Sequence, residues 1–365
     1  MEKQQAIKLI ASLSKLAGKN RNVLVTGNVL LTGSHAITTD LDRELTLPFD
    51  VFGVTGPVMV DCASLKQAVQ ATREKVCHFS VTEEHLVIND VMKIRLQNDP
   101  DLFPRFRPDK DAKPLGSLTI TSNLTKLMNE AKPFKGKDAL RPSMMHTALL
   151  PRAKEIAATD AFGIIVLAID VEGDIEHDVL IPELPIDVAQ CSIRCESRKE
   201  VVQNKYSTDT VSMYRYTLTT DDATLRWRVG DQRYPQIHSV IPSHEQCSEV
   251  YRVNADELIG AVNRVMAIVG KLNTVALTFA DDSLSIHGEN IDFNESHDEQ
   301  LSIEPIEGFG LTIGFNPLFL VRQLTSFKGR YANMLMSQPD RAALIVCDDR
   351  PEITASLIMP VTINV

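Results

Sequence analysis

Adjacent carboxylates can divide acid and base work between them, and Asp281-Asp282 is such a pair. It falls between Thr274–Phe279 and Ser283–His287, two runs that read as the arms of a hairpin, where Asp is a common turn residue. Turn formation accounts for the pair without catalysis. Cys191 and Cys195 are the only close pair among six scattered cysteines, and no second Cys or His pair completes a zinc set. His244-Glu245-x-Cys247 is too sparse to hold a metal, and the nine His residues show no ligand spacing. There is no phosphate-cradling G-x-x-x-x-G-K-S/T, no G-x-S-x-G and no H-E-x-x-H. The expectation is a chain that is not an enzyme and that needs neither metal nor cofactor. The acidic stretch Glu289–Glu307 reads as a solvated loop that favours solubility.

Positive charge is arranged more suggestively. Lys15, Lys19 and Arg21 lie at the end of a first helical stretch and just after it. Lys132-Pro133-Phe134-Lys135-Gly136-Lys137 is a basic loop with one aromatic, and Arg264 and Lys271 lie on and just after a third helical stretch. Any one of these clusters is ordinary solvated surface. Their recurrence at related positions is what a phosphate backbone on a common axis would need. The chain carries 38 Lys and Arg against 48 Asp and Glu, a net charge of −10. That argues against a simple tight nucleic-acid binder and leaves room for a basic face on an acidic body.

The third chemistry is apolar contact. The final nine residues, Leu357-Ile358-Met359-Pro360-Val361-Thr362-Ile363-Asn364-Val365, include seven apolar ones. Pro360 cannot donate to a ladder and marks a strand end, an edge or a bulge. The run reads either as a strand completing a core or as one wall of a groove that a partner's peptide fills. Thr159-Asp160-Ala161-Phe162-Gly163 reads as a tight turn between buried strands, with Gly163 supplying the unusual backbone angle.

The elements that must position these residues follow one plan played three times. The first pass has a helix over Gln4–Gly18, strands Val23–Leu31 and Leu45–Val54, and a helix Leu65–Thr72 capped by Asp61 or Ser64. It ends in hairpin strands at His78–Val81, Leu86–Ile88 and Met92–Leu96, and closes at Phe103-Pro104. The second has a strand Ser117–Ile120, a helix Asn123–Ala131, strands Thr147–Leu150 and Gly163–Ile169, and a short helical candidate at Pro185–Gln190. Its hairpin is Ser212–Leu218 and Thr224–Val229, and it closes at Tyr234-Pro235. The third has a helix capped by Asn254 or Asp256 with Leu258, Ile259, Val262, Val265 and Met266 at helical spacing. It continues through the Thr274–His287 hairpin, strands Glu299–Ile303 and Leu311–Phe315, helix Pro317–Leu324 and a last hairpin, Asn333–Met336 with Ala342–Val346. The period is about 120 residues, a usual domain size. Polar linkers at Lys110–Gly116 and Ser243–Val250 divide the chain into 1–113, 114–247 and 248–365. The class is α+β. Scattered cysteines, no signal-like N-terminus and no long apolar window point to a cytoplasmic protein with reduced thiols.

Several phrases resemble the beta subunit of bacterial DNA polymerase III, the replicative sliding clamp family. In the third pass these are Leu277-Thr278-Phe279, Ile313-Gly314-Phe315-Asn316-Pro317 with Leu320, and Ile358-Met359-Pro360-Val361. In the first they are Gly27-Asn28-Val29-Leu30-Leu31, Thr39-Asp40-Leu41-Asp42-Arg43-Glu44-Leu45 and Phe103-Pro104. In the second they are Arg141-Pro142, Ala158-Thr159-Asp160, Tyr234-Pro235 and Val240-Ile241-Pro242. The resemblance covers the whole chain through the order of its phrases. It implies three repeated clamp domains, helices lining a central hole, antiparallel sheets outside and a head-to-tail homodimeric ring around duplex DNA without sequence preference. It implies as partners the replicative DNA polymerase, the clamp loader and other proteins bearing a clamp-binding motif. Their peptides would dock in a pocket between the second and third domains. By matching positions that pocket draws on Met144, Thr159, Phe162, Gly163, Ile164, Pro235, Val240, Ala343, Ile358, Met359, Pro360 and Val361. The DNA-facing positions would be Lys19, Arg21, Lys132, Lys135, Lys137 and Arg264. The family usually has Gly-His-Arg where this chain has Ala161-Phe162-Gly163, and Arg where it has Ser239 and Thr362. A clamp-like monomeric adaptor and a small-molecule enzyme on a repeated α+β scaffold are the alternatives.

Overall fold

The structure is a computed structural model, and it describes residues 1–18, 23–97, 99–107, 110–203, 208–271 and 274–363. Lys19, Arg21, Asn364 and Val365 lie outside the described residues. The fold is α+β, with four sheets in which every pairing between strands is antiparallel. The chain forms two compact units, one of residues 1–125, 171–176 and 183–232 and the other of residues 126–170, 177–182 and 233–365. No helix among the described residues is long and apolar enough to cross a membrane.

The first unit holds a nine-stranded sheet running from Val171–Gly173 to Val58–Asp61, and a three-stranded sheet that ends at Met92–Arg95. Helix α1 (Lys3–Ser14) buries Ala6, Ile10 and Leu13, one helical stripe, and packs on α2 (Cys62–Ala71). Asp61 caps α2 by accepting from the Ser64 backbone N–H at 2.7 Å. Three expected elements differ here. Val23–Leu31 is a 3₁₀ turn (Leu24–Gly27) and only then a strand. The strand expected over Leu45–Val54 stops at Pro48, which has no N–H to continue a ladder. The linker expected at Lys110–Gly116 is already strand from Lys113.

Pro185–Gln190 is irregular rather than helical. A six-residue segment opening on proline is too short to nucleate without tertiary support. It leads into strand Cys191–Gln203, which forms a long hairpin with Thr208–Thr219. Only the second arm shows a strand period in the sequence, because the first carries few apolar residues.

The second unit holds a nine-stranded sheet and a four-stranded sheet. The larger one runs Val179–Ile181, Thr147–Leu150, Glu155–Thr159, Gly163–Ala168, Ile353–Ile358, Ala343–Val346, Tyr331–Met336, Glu249–Asn254, Glu304–Glu307. The smaller runs Glu295–Ser302, Ser283–Asn290, Val275–Ala280, Leu311–Phe315. Helix α3 (Leu124–Ala131) lies in this unit from Lys126 onward. Helix α4 (Ala255–Val269) is capped by the Asn254 side chain, which accepts from Asp256 and Glu257 N–H groups. Helix α5 (Pro317–Thr325) is capped the same way by Asn316, with Pro317 at its permitted first-turn position. The acidic stretch Glu289–Glu307 is not a loop: it holds the end of one strand and the whole of two more, Glu295–Ser302 and Glu304–Glu307. Both are sheet edges, where polar residues on an exposed face cost nothing.

Candidate functional site

Strand Glu155–Thr159 turns at Asp160 and returns as Gly163–Ala168. The Thr159 hydroxyl accepts from Ala161 N–H (3.1 Å) and donates to the Gly163 carbonyl (2.8 Å). One Asp160 carboxylate oxygen accepts from the N–H groups of Phe162 and Gly163 at 3.0 and 2.9 Å. The left-handed residue of the turn is Ala161, with φ of 75°, and not Gly163. Gly163 is needed for a different reason. A Cβ there would collide with Gln323 Nε2 and sit 2.6 Å from Arg322 Nη2.

Helix α5 stands behind this turn. Its Arg322 donates to Asp160 at 2.5 Å and lies over the rings of Phe134 and Phe319, at 4.9 and 4.8 Å from their centroids. Phe162 stacks on Phe319 with centroids 5.2 Å apart. Gln323, fully buried, donates to the Leu357 carbonyl (2.6 Å) and accepts from the Ser356 hydroxyl (2.5 Å). The helix is thereby hydrogen-bonded to the C-terminal strand.

That strand, Ile353–Ile358, lies between Gly163–Ala168 and Ala343–Val346. Leu357 is opposite Ile164, while Ile358 is opposite both Gly163 and Ala343. Side chains alternate between faces, so Ile164 and Leu357 share one face while Ile358 and Ala343 take the other, toward α5. Met359 N–H then donates to the Phe162 carbonyl at 2.9 Å. Beyond Pro360 the chain changes sheets: Val361 N–H donates to the Gly314 carbonyl at 2.8 Å. Gly314 admits this approach because a Cβ would lie 2.5 Å from the Val361 carbonyl.

On the Ile164 and Leu357 face lies a cavity of about 800 Å³. Its apolar lining includes Met144, Ile164, Pro235, Ile237, Val240, Ala342, Leu357 and Met359. Gln236, Ser239, Gln246, Gln338, Asp340 and Arg341, all exposed, add polar groups. The Pro235–Pro242 wall is anchored by Tyr234, whose hydroxyl donates to the Ala157 carbonyl at 3.4 Å and whose pKa burial pushes up. This is the size and character of a site for an apolar anchor with polar surroundings.

Of the twelve positions expected in a pocket, Met144, Thr159, Ile164, Pro235, Val240 and Met359 line this cavity. Gly163, Ala343 and Ile358 lie on the opposite face of the sheet. Phe162 is stacked on Phe319, and Pro360 and Val361 lie past the strand end, beside Leu311–Phe315. Leu357, Ala342 and Ile237 were missed. In a strand a one-residue offset reverses the face, and alternation within Leu357-Ile358-Met359 is the signal that separates them.

The basic positions are dispersed. Lys132 and Lys137 are exposed and Lys135 half-buried, around a 3₁₀ turn that buries Phe134. Arg264 on α4 bonds both carboxylate oxygens of Glu299, at 2.7 and 2.9 Å. Its hydrogen bonds, with a further one from His297, hold the Glu299 carboxyl down at about 2. The Arg264 charge is thus matched within its own unit. All six cysteines are buried thiols, and burial pushes Cys191 and Cys195 up to about 12.

Residues 238–362 match the family described as DNA polymerase III beta subunit, C-terminal domain. The beta sliding clamp of Streptococcus pneumoniae serotype 4 is 21% identical over 316 residues, which are 85% of this chain and 81% of the relative. The DNA polymerase sliding clamp of Pseudomonas aeruginosa, solved with a ligand, superposes with a TM-score of 0.81 at 18% identity, covering 100% of this chain and 99% of that one. The DnaN sliding clamp of Bartonella birtlesii, bound to griselimycin, gives 0.80 at 20% identity with the same coverage. At such identities the structures speak for the fold, and the family match speaks for residues 238–362. The chain thus has the sliding-clamp fold, and its residues 238–362 match the C-terminal domain of the DNA polymerase III beta subunit.

Proposed function

We propose that the chain works as a head-to-tail homodimeric ring around duplex DNA, and that it tethers a replicative polymerase while docking partner peptides. The family is one of non-enzymatic processivity factors in DNA replication. The cavity beside the C-terminal strand is the observation that carries the docking role. It is lined by apolar groups that would exclude water from an inserted Leu or Phe, and its methionines Met144 and Met359 adapt to more than one sequence. The six cavity-lining positions are the core of the proposed site, with Phe162, Gly163, Ala343, Ile358, Pro360 and Val361 supporting its walls.

Two open sheet edges favour the ring. Met92–Arg95 ends the three-stranded sheet with Lys93 and Arg95 exposed. Glu295–Ser302 ends the four-stranded sheet with Glu295 and Asp298 exposed, and α4, which packs on this strand, carries Ile268 at 47% exposure. Unpaired edges invite strand pairing, and these two carry opposite charge on different parts of one chain. That is a heterologous contact, which closes into a ring when the rotation allows. The proposal includes the division into three clamp domains at 1–113, 114–247 and 248–365, and a clamp loader as the agent that opens the ring on DNA. Lys132, Lys135 and Lys137 remain proposed DNA-facing residues, and the site of action is the cytoplasm.

The test is native mass spectrometry combined with retention on DNA. A dimer that stays on nicked circular DNA and slides off once it is linearised is the expected result. A monomer at micromolar concentration, or equal retention on both forms, overturns the ring.

A further inference from the structure

The protein is acidic overall, yet one sheet face of the first unit is crowded with arginine. In neighbouring strands Arg194, Thr217, Arg226 and Glu44 form one row across the sheet. Two residues along, Glu196, Arg215 and Arg228 form the next. Arg198 extends the same face, and the segment Arg105-Phe106-Arg107 crosses it. Among the described residues these arginines share the face with Glu44, Asp42 and Glu196, while Glu172 lies on it toward the sheet edge and Asp174 bonds Ser117, the neighbour of Arg194.

Part of this array is fixed in advance. Glu44, wholly buried, accepts from Arg105 Nε, Arg226 Nη1 and the Phe106 backbone N–H, each at 2.9 Å. Arg228 donates through Nε and Nη2 to Asp42 at 3.1 Å, and Arg215 donates to the Arg107 carbonyl at 3.2 Å. A guanidinium carries five N–H donors, and Glu44 takes one from each of its two arginines. The buried carboxylate thus holds two forks in place with donors left over, which lowers the ordering cost of binding an anion.

We infer that this arginine-bearing sheet face is a docking surface for an acidic peptide segment of a partner protein. Charge complementarity selects an anion, and the geometry favours carboxylates. The face already accommodates Glu44 and Asp42 against its guanidinium groups. A single nucleic-acid strand is the less suited occupant, because such sites stack successive bases on several aromatic rings, and the one ring that the crossing segment carries, Phe106, is half-buried. Tyr216 and Trp227, the rings between the two rows, are stacked on each other and buried on the opposite face. The surface lies in the other compact unit from the cavity, so it stands independently of the peptide-docking reading.

The experiment uses the full chain, a fluorescein-labelled peptide of alternating Glu and Asp, and a labelled oligo-dT of equal charge. Anisotropy titrations at low and physiological salt compare the protein with Arg194→Glu/Arg228→Glu. The milder Arg194→Gln/Arg228→Gln pair guards against misfolding, and thermal unfolding checks both. The expected result is salt-sensitive peptide binding that weakens about tenfold or more in the charge-reversed pair and less in the neutral one. Equal peptide affinity in all three folded proteins overturns the inference. So does no binding at low salt, or tighter binding of oligo-dT than of the peptide with the same sensitivity to the substitutions.

Discussion

Ala161, and not Gly163, holds the left-handed backbone angle that the sequence suggests for the glycine. The glycine is there for space against α5, and the alanine holds the left-handed angle. An L-residue with a Cβ pays about 1–2 kcal/mol for that conformation. Ala161→Gly is therefore expected to leave stability unchanged or to raise it by up to about 1 kcal/mol, because the glycine's extra freedom when unfolded offsets part of the gain. Gly163→Ala is expected to lower stability, since Gln323 and Arg322 must both move. Chemical denaturation of the two variants separates the roles. Glu299 gives a second prediction. Its carboxyl lies at about 2, held first by the Arg264 hydrogen bond and then by His297. A carboxylate depressed below its unfolded value stabilises at neutral pH, and that contribution is lost as pH falls from about 4.5 through about 2. In Arg264→Ala the midpoint is expected to return toward the ordinary range near 4.3, read by carbon NMR titration of the side chain.

Helix α5 and the C-terminal strand act as one element, because Gln323 bonds both Ser356 and Leu357 in a site without water access. Replacing Gln323 by Leu strands the Ser356 hydroxyl and removes a donor from the Leu357 carbonyl, a loss of about 1–3 kcal/mol. Unfolding midpoints check it. Removing Met359 onward is a different cut. It leaves Ile353–Ile358 paired on both sides but deletes one cavity wall and the bridge to Gly314. Peptide binding is expected to be lost with the dimer intact, and full affinity in that truncation would sink the assignment of the cavity. The break at Pro360 was legible in the sequence because proline cannot continue a ladder. So were α4 and α5, whose Asn caps and apolar stripes agree. Which neighbours of Pro360 face the cavity was not, since Leu357 and Ile358 are equally apolar and only their register against Ile164 and Gly163 separates them. Nor was Arg264 legible as an ion-paired residue: Glu299 is 35 positions away, and the pairing depends on α4 lying across an edge strand.

At the scale of the molecule, the net charge of −10 hides a division into basic and acidic regions. The acidic run that looked like a solvated loop is a pair of edge strands, and the counterpart of opposite sign is a short edge holding Lys93 and Arg95. If these edges join two copies, their charges set which end meets which, and wrong pairings of like sign are disfavoured. Lys93→Glu with Arg95→Glu is then expected to shift the dimer toward monomer at physiological salt. Combining it with Glu295→Lys and Asp298→Lys is expected to restore the dimer, because both contacts of a two-copy ring are reversed together. Neither pair alters the cavity residues, so peptide affinity per chain should hold throughout. Analytical ultracentrifugation of the four proteins reads the outcome. Dimers of equal stability in the single-edge variants would show that the subunits meet elsewhere, and a double reversal that stays monomeric would show that these two edges are not partners.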